Sequence, residues 1–237
     1  MAKLTNSAKK VRGRKMLTVR VKTAKYNTVS SNRWLERQLN DPYVAEAKRL
    51  GYRCRAAFKL IQLDEKFHFL GKGKTIVDLG CAPGGWTQIA ALRNKGSGQI
   101  VGMDLLAAEP IDGAVMLQQD FTEEGAADKL KALLNGPADV VMSDMAANTT
   151  GVQNIDHLRT LGLVEMAYDF AKEVLAVGGI FIAKVFQGGT EAKLLTDMRQ
   201  HFTKVTHFKP DASRQDSVEM YVVAQGFKGR GDTPENC

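Results

Sequence analysis

The sequence has few cysteines and no long apolar run. Its 237 residues include three cysteines and four histidines, and these do not fall into the spacing of a structural metal site or a disulfide framework. No segment approaches the roughly 18 uninterrupted apolar residues of a membrane helix, and the basic N-terminus lacks the apolar stretch of a secretory signal. We therefore expect a cytoplasmic protein with no metal site, no disulfide and no membrane segment.

Acidic residues are scarce in the first third of the chain. Residues 1–75 contain 19 Lys and Arg against 5 Asp and Glu, whereas residues 76–237 contain 14 against 21. The net charge of +7 therefore comes entirely from the N-terminal part. A solvated tail is one interpretation, but clustered Lys and Arg also neutralise phosphates and release counterions. We expect a basic, disordered arm over residues 1–30 and a nucleic-acid partner.

Apolar periodicity divides the remaining chain into a helical segment and an α/β region. Residues 31–74 predict two short helices, separated near Asp41 and Pro42, and a third over Arg53–Phe67. Residues 75–227 alternate between short apolar runs and helical stretches, which predicts an open, mostly parallel α/β sheet covered by helices on both faces. Residues 228–237 are expected to form a flexible tail. The predicted strands are Thr75–Leu79, Gln99–Asp104, Ala114–Leu117, Asp139–Ser143, Ile180–Val185, Val205–Phe208 and Glu219–Ala224, and the helices between them are Trp86–Asn94, Glu123–Leu134, His157–Leu175 and Glu191–His201.

A glycine-rich turn follows the first predicted strand, in the segment Asp78–Trp86 (DLGCAPGGW). Only glycine allows the unusual dihedral angles of such a turn and the close approach of a ligand to the backbone. Dinucleotide-binding enzymes carry a similar turn with an acid about 20 residues further on, and Asp104 stands 20 residues after Gly84. The turn therefore predicts a cofactor site and leaves its ligand open. Trp86 is either a core residue or a ring beside that ligand.

Acidic residues mark the ends of four predicted strands. Asp78, Asp104 and Asp144 lie in or at strand ends, and Asp120 lies just beyond the third strand. The carboxyl ends of parallel strands border the crevice where open α/β sheets bind ligands. An acidic crevice favours the cationic, ribose-bearing S-adenosylmethionine over NAD, whose pyrophosphate is anionic. Asp104 is the candidate for the ribose hydroxyls, whereas Asp120 is either a cofactor ligand or a helix cap.

Two apolar strands carry charged residues near their ends. Asp144 follows one of them, and Lys184 lies inside the other, where burial is costly unless the amine is paired. Glu219 begins the last predicted strand and reaches the same sheet edge if that strand runs antiparallel. A lysine that extends to solvent is the alternative. In the first interpretation, a carboxylate, an amine and a second carboxylate converge.

On these motifs the sequence resembles the FtsJ/RrmJ family of ribose 2′-O-methyltransferases over about residues 31–227. The motifs occur in the order SNRW, RAAFKL, VDLGCAPGGWTQ, MDLL, QDF, VMSDMAAN, FIAKVFQG, KPDASR and EMYVVA. The resemblance implies a Rossmann-like methyltransferase fold with a seven-stranded, mostly parallel sheet and an antiparallel last strand. It also implies a catalytic tetrad of Lys59, Asp144, Lys184 and Glu219, and cofactor contacts from Gly84, Trp86, Asp104, Asp120 and Asp144. One departure is Ala147, where family members usually have proline.

The resemblance implies S-adenosylmethionine-dependent methylation of a uridine 2′-hydroxyl in large-subunit ribosomal RNA, in the A-loop of the assembled large ribosomal subunit. Lys184 is expected to deprotonate the hydroxyl if its amine is neutral, and to orient it if the amine is charged. Lys59 is expected to bind phosphate or stabilise the developing oxyanion. We expect a monomer that binds neither DNA nor membrane. The alternatives are an NAD-linked oxidoreductase, a non-catalytic RNA-binding ribosome-assembly factor, and methylation of transfer RNA.

Overall fold

The computed structural model describes residues 28–147, 151, 153–187 and 192–229. Most of the predicted basic arm, residues 1–27, and residues 230–237 of the predicted tail lie outside this described part. The helical segment contains α1 (Val29–Leu39), α2 (Pro42–Leu50) and α3 (Ala56–Phe67). Asp41 separates the first two helices as predicted, because its side chain accepts a hydrogen bond from the Tyr43 N–H and caps α2, with Pro42 in the first helical turn.

The α/β region follows the predicted alternation. Its elements in chain order are β1 (Thr75–Leu79), α4 (Gly85–Asn94), β2 (Gln99–Asp104), β3 (Val115–Gln118), α5 (Ala126–Leu133), β4 (Ala138–Ser143), α6 (Gln153–Val174), β5 (Leu175–Phe186), α7 (Ala192–His201), β6 (Phe202–Phe208) and β7 (Glu219–Phe227).

Several element boundaries differ from the prediction by three to five residues, and local backbone structure explains two of them. Helix α5 begins three residues later than predicted, because Gly125 has a φ of +77° and the right-handed helix starts only after it. Strand β5 begins directly where α6 ends, five residues before the predicted start. Its first part pairs irregularly with β4, since the register shifts between Ala138 and Val140. The additional residues of β5 lie at the opposite end of that strand from Lys184.

The described strands form one seven-stranded sheet in the order β3-β2-β1-β4-β5-β7-β6. The neighbours from β3 to β5 pair in parallel, whereas β7 is antiparallel to both β5 and β6. The prediction of a mostly parallel sheet with an antiparallel last strand is confirmed. Because β7 runs in the opposite direction, its first residue, Glu219, pairs with Phe186 at the end of β5. The start of β7 and the ends of β4 and β5 therefore share one edge.

Helices cover both faces of the sheet, as predicted. On one face α5, α6 and α7 enclose a core that includes Leu130, Tyr168 and Met198. On the other face α2, α3 and α4 pack over residues such as Leu60 and Ile89. Within the described ranges, no helix is both long enough and apolar enough to cross a bilayer.

Candidate active site

Lys184 and Asp144 form the buried centre of the site. Lys184 lies on β5 with only 6% of its side chain exposed, and Asp144 follows β4, the parallel neighbour of β5. The Lys184 Nζ donates a 2.7 Å hydrogen bond to the backbone carbonyl of Asp144 and lies 3.2 Å from its Oδ1. The structure therefore buries the amine beside a carboxylate, and the alternative of a lysine extended into solvent does not apply.

Lys59 and Glu219 form a second ion pair at the same edge. The Lys59 Nζ lies 3.2 Å from the Glu219 Oε2. The Lys59 side chain is 7% exposed, whereas that of Glu219 is 29% exposed. Lys59 comes from α3, which places the helical segment in direct contact with the start of β7. The four residues of the implied tetrad are thus brought together as two adjacent pairs.

Tyr221, which was not among the predicted site residues, connects the two pairs. It lies directly opposite Lys184 in the β5–β7 register. Its hydroxyl donates a 2.8 Å hydrogen bond to the Asp144 Oδ1, and the Lys59 Nζ lies 5.8 Å from its ring centroid. One signal was present in the sequence: Glu219 and Tyr221 are two residues apart on a strand, so both side chains project from the same face.

These contacts set the protonation of the central carboxylate. Burial alone raises the pKa of the Asp144 carboxyl, but the ammonium groups of Lys184 and Lys59 and the hydrogen bond from Tyr221 outweigh burial, so the net pKa is lowered. Burial, followed by the charges of Asp144 and Glu219, raises the pKa of the Tyr221 phenol well above its usual value. Asp144 is therefore an anion at neutral pH, and Tyr221 is a neutral hydrogen-bond donor.

A cavity of about 340 Å³ opens beside this cluster. Its lining comes from the ends of β1, β2 and β4, from the segment after β3 and from α6. The cavity adjoins the tetrad because Met145, which follows Asp144, belongs to the lining. The lining residues are Gly80, Met103, Asp104, Leu105, Asp120, Phe121, Thr122, Met145, Ala146, Ala147, Arg159 and Leu163.

Asp104 and Asp120 present carboxylates to this cavity. The Asp104 oxygens accept 2.8 Å hydrogen bonds from the N–H groups of Ala82 and Leu106, which fixes the carboxylate between two loops. The Asp120 Oδ1 accepts hydrogen bonds from the Thr122 hydroxyl and N–H, and these bonds lower the Asp120 pKa. Helix α5 starts only at Ala126, so Asp120 closes a turn instead of capping that helix. Both carboxylates remain available to a ribose-bearing cation.

Trp86 is not beside the cavity. Its ring is 3% exposed and packs 5.5 Å from the Tyr221 ring, and its Nε1–H donates to the Ala56 carbonyl. The ring therefore belongs to the core under α3. Indirectly the ring supports the site, because it holds Tyr221 in place.

The glycines of the turn accommodate protein atoms. A Cβ on Gly80 would approach the Met145 backbone to 2.8 Å, and one on Gly84 would approach side-chain atoms of Arg53 and Ile111 to 2.9 Å. Gly84 also has a φ of +104° as the residue before α4. Glycine is therefore required at Gly84 for backbone geometry and for packing, and the side of Gly84 where a Cβ would project is occupied by the protein.

Asp78 lies behind the turn and is fully buried. Its Oδ2 accepts a 2.6 Å hydrogen bond from the Thr87 hydroxyl, while its Oδ1 has no hydrogen-bond partner among the described residues. Burial, with added repulsion from the charges of Asp144 and Asp104, raises the pKa of Asp78 to about 7 despite the Thr87 hydrogen bond. Asp78 thus titrates near neutral pH.

Cys81 lies in the same turn and serves as a packing residue. It is buried, and burial raises the pKa of its thiol strongly, so it is a poor nucleophile. Among the described residues, no group of three or more His, Cys, Asp or Glu side chains is arranged to hold a metal ion.

Comparison with known proteins gives a consistent result. The model of the FtsJ-like methyltransferase family matches residues 52–227. A protein of Paramagnetospirillum magneticum named "Ribosomal RNA large subunit methyltransferase E" is 61% identical over 225 residues, which cover 93% of this chain and 92% of that protein. A protein of the same name from Parvibaculum lavamentivorans is 56% identical over 232 residues, covering 94% and 91%.

A solved structure supports the same relationship. A protein described as a ribosomal RNA methyltransferase from Plasmodium falciparum is 33% identical and superposes with a TM-score of 0.68, covering 76% of this chain and all of that one. The seven-stranded sheet is therefore that of a methyltransferase, as the sequence predicted. Since the family model spans most of the chain and full-length relatives share more than half of its residues, the chain belongs to the FtsJ-like methyltransferase family.

Proposed function

We propose that this protein methylates the ribose 2′-hydroxyl of a uridine in large-subunit ribosomal RNA, using S-adenosylmethionine. The observation that carries the proposal is the buried Lys184–Asp144 pair, hydrogen-bonded by Tyr221 and adjoining an acidic cavity. The names of the relatives support the choice of ribosomal RNA. The finer target, the A-loop of the assembled large ribosomal subunit, follows from the family resemblance.

The residues of the cavity fit S-adenosylmethionine. Asp104 and Asp120 supply acceptors for ribose hydroxyls and for an adenine amine, and they make the cavity floor acidic. Behind this lining, Asp78 interacts electrostatically with Asp104 and Asp144. Arg159, on the exposed part of α6, is the one basic residue in the described lining. An acidic floor attracts a sulfonium and repels a pyrophosphate, which favours S-adenosylmethionine over NAD. S-Adenosylmethionine supplies an electrophilic methyl group when bound.

Lys184 orients the 2′-hydroxyl or accepts its proton. Two of its tetrahedral N–H positions are used by the carbonyl and the carboxylate of Asp144. The third position carries an N–H when the amine is charged and a lone pair when it is neutral. The amine can therefore lose or gain one proton without giving up either contact with Asp144. This arrangement lets Lys184 orient the 2′-hydroxyl as an ammonium and accept its proton as an amine.

Asp144 and Tyr221 hold Lys184 in position. The carboxylate stabilises the ammonium that forms after proton transfer, and Tyr221 fixes the carboxylate through its Oδ1. The second pair acts nearby: Lys59 supplies positive charge to the developing alkoxide or to a phosphate, and Glu219 holds Lys59. Most of the rate then comes from alignment of the hydroxyl and from electrostatic stabilisation.

The RNA is proposed to bind on the side of α1–α3. This segment carries an excess of basic residues, since residues 28–74 contain ten Lys and Arg against five Asp and Glu, and it contributes Lys59 to the site. Lys48, in the last turn of α2, and Lys66, in the last turn of α3, are exposed on this side. Lys and Arg clusters of this kind provide sequence-independent affinity through phosphate neutralisation. We further propose that the protein acts in the cytoplasm as a monomer.

The test is a map of 2′-O-methyl groups over total RNA, with and without the gene. Loss of the signal at one uridine of the large-subunit RNA is the expected result, and adding back the wild-type protein, but not the Lys184→Ala variant, restores it. A signal lost from transfer RNA would reassign the substrate. An unchanged map, together with no methyl transfer to isolated subunits, would support a non-catalytic assembly factor and overturn the proposal.

A further inference from the structure

Arg53 joins the two loops that border the cofactor cavity. Its Nη1 donates to the Pro83 carbonyl at 3.2 Å, in the loop after β1. The same guanidinium donates to the carbonyls of Glu109 at 2.5 Å and Pro110 at 2.6 Å, in the loop between β2 and β3. Residues 105–114 are referred to below as the β2–β3 loop. A single side chain, just before α3, thus links the glycine turn to the β2–β3 loop.

Gly84, in the glycine turn, leaves room for the Arg53 side chain. Gly84 lies against both the Arg53 side chain and Ile111 of the β2–β3 loop, on the side where a Cβ would project. A Cβ at this position would meet both at 2.9 Å. The absence of a side chain at Gly84 therefore allows Arg53 and Ile111 to approach the turn together.

The position of Arg53 is fixed from below by Gln88 on α4. The Gln88 Oε1 accepts a 3.0 Å hydrogen bond from the Arg53 N–H, and its Nε2 donates at 2.9 Å to the Gly51 carbonyl. The backbone that carries Arg53 is therefore anchored to the helix that starts at the glycine turn. An anchored arginine loses less conformational entropy when its fork engages the three carbonyls.

The β2–β3 loop has few other contacts, among them the hydrogen bonds from the Leu106 N–H to Asp104 and from the Gln118 side chain to the Leu105 carbonyl. Leu105 and Leu106 are 58% and 65% exposed, and Glu109 and Pro110 are also exposed. Loops with few buried apolar contacts open at low free-energy cost. Yet this loop begins next to Asp104, and Leu105 forms part of the cavity wall. The conformation of the loop therefore bears directly on the shape of the cavity.

We propose that Arg53 is a positioning residue for cofactor binding, which latches the β2–β3 loop against the glycine turn and so keeps the cavity in its binding-competent shape. This inference rests on the proposed function and extends it, because it links the RNA-facing helical segment to the cofactor cavity. The guanidinium touches neither the tetrad nor the cavity lining. Its effect is therefore on cofactor affinity, with the chemical step left intact.

The test compares Arg53→Ala and Arg53→Lys with wild type in the full-length protein. Isothermal titration with S-adenosylmethionine should give a Kd about tenfold higher for Arg53→Ala, equivalent to about 1.4 kcal/mol. Arg53→Lys should fall between the two, because an ammonium cannot engage three carbonyls in the fork geometry of a guanidinium. In kinetics the KM for S-adenosylmethionine should rise while kcat stays within about twofold of wild type.

Hydrogen exchange provides the readout that a general loss of stability would not reproduce. Arg53→Ala should accelerate amide exchange within residues 105–114 and leave β1 and β4 protected. Arg49→Ala is the matched control: Arg49 lies on the neighbouring helix α2 and pairs with Glu46 on that same helix. The Arg49→Ala variant removes the same charge, and we expect no change in its Kd for S-adenosylmethionine or in amide exchange of residues 105–114. Ile111→Ala, which removes the other neighbour of Gly84, should weaken cofactor binding in the same direction.

Two outcomes separate this inference from the proposed function. If wild type binds S-adenosylmethionine and Arg53→Ala has the same Kd and the same amide exchange in residues 105–114, the proposed role of Arg53 is wrong. The proposed function then stands. If wild type binds no S-adenosylmethionine and methylates no RNA, the proposed function itself fails, and the latch fails with it.

Discussion

The Tyr221 hydroxyl and the Lys184 amine meet at a single oxygen of Asp144. Tyr221 donates to Oδ1 at 2.8 Å, and the Lys184 Nζ lies 3.2 Å from the same atom. The two residues are also cross-strand partners of β5 and β7. The sheet register therefore fixes the geometry of the hydrogen-bond network. Because Asp144 contacts both residues, a substitution at Tyr221 should alter the position and charge environment of Lys184.

Tyr221→Phe should lower kcat roughly tenfold while leaving the Kd for S-adenosylmethionine unchanged. The reason is the loss of one hydrogen bond to a charged group, worth about 1.5–3 kcal/mol, in a ring that otherwise keeps its packing against Trp86. The same bond helps to lower the Asp144 pKa, so its removal raises that pKa. The acid limb of the kcat–pH profile should therefore move to higher pH.

The control for this variant is Tyr168→Phe. Tyr168 is equally buried but lies on the opposite face of the sheet, where it packs against Phe181 and Phe202. Tyr168→Phe should not shift the acid limb of the kcat–pH profile. A Tyr221→Phe enzyme with wild-type kcat and an unshifted acid limb would remove Tyr221 from the mechanism.

Lys184→Ala should abolish methyl transfer, with a loss of at least about 100-fold, the scale of a general base. Cofactor affinity should stay near wild type, because Lys184 is not part of the cavity lining. Lys184→Arg distinguishes the two roles considered for the amine. A guanidinium keeps the charge and can contact Asp144, but it does not give up a proton at neutral pH. Single-turnover rates on the RNA should show both variants inactive if Lys184 is a base.

Retention of substantial activity by Lys184→Arg would instead mean that the residue acts by charge and orientation. Thermal melting of both variants checks that the loss is not one of folding, since either change disturbs a buried pair. Wild-type turnover in Lys184→Ala would exclude Lys184 from the reaction altogether.

The sequence predicted the part of the site that follows from sheet topology. Asp144, Lys184 and Glu219 were expected to meet because the ends of parallel strands and the start of an antiparallel one share an edge, and the structure places them so. Tyr221 was not predicted, since a tyrosine in the apolar run Tyr221–Ala224 is equally consistent with a core position. Its role depends on a cross-strand register that only the folded sheet defines.

Loop contacts were the other part that the sequence could not predict. Arg53 contacts carbonyls 30, 56 and 57 residues away, and no local pattern encodes such pairings. For Trp86 the sequence suggested a contact that the fold does not form. Its position after the glycine turn suggested a ring beside the ligand, but packing under α3 and a hydrogen bond to Ala56 draw it into the core.

The basic arm should contribute to RNA affinity in a salt-dependent way. Residues 1–27 contain nine Lys and Arg and no acidic residue. A protein that begins at Thr28 should bind large-subunit RNA more weakly, and the slope of log K against log salt should be shallower by about one unit for each phosphate that the arm neutralises. Filter binding across a salt series measures both. Identical slopes for the two proteins would show that the arm does not bind phosphate.

Asp78→Asn should stabilise the free protein at neutral and alkaline pH. The pKa of Asp78 is about 7 in the folded state against 3.8 in the unfolded chain. As pH rises from about 4 to about 7, the unfolded chain releases the proton while the folded protein retains it, so wild-type stability falls across that window and is flat above it. At about 1.4 kcal/mol for each pKa unit, the penalty that asparagine removes is of order 4 kcal/mol.

Chemical denaturation of wild type and Asp78→Asn at several pH values measures this difference. The gain should be absent near pH 4 and complete near pH 7. Thr87→Val is a useful comparison, because it removes the 2.6 Å hydrogen bond from the Thr87 hydroxyl that favours the ionised form and should raise the Asp78 pKa further. A stability difference between wild type and Asp78→Asn that does not change with pH would contradict the assignment.

Cofactor binding should release a proton from Asp78. Protonated Asp78 is present in the free protein near pH 7, since its pKa is about 7, and a bound sulfonium favours the carboxylate. Titration calorimetry with S-adenosylmethionine in buffers of different ionisation enthalpy should therefore show release of a fraction of a proton. S-Adenosylhomocysteine, which has the same shape but a neutral sulfur, should release less, and Asp78→Asn should remove the difference between the two ligands. Equal proton release for both ligands in wild type would mean that the charge on sulfur does not change the pKa of Asp78. Selection of the cofactor would then depend on contacts with its adenosine and amino-acid moieties alone.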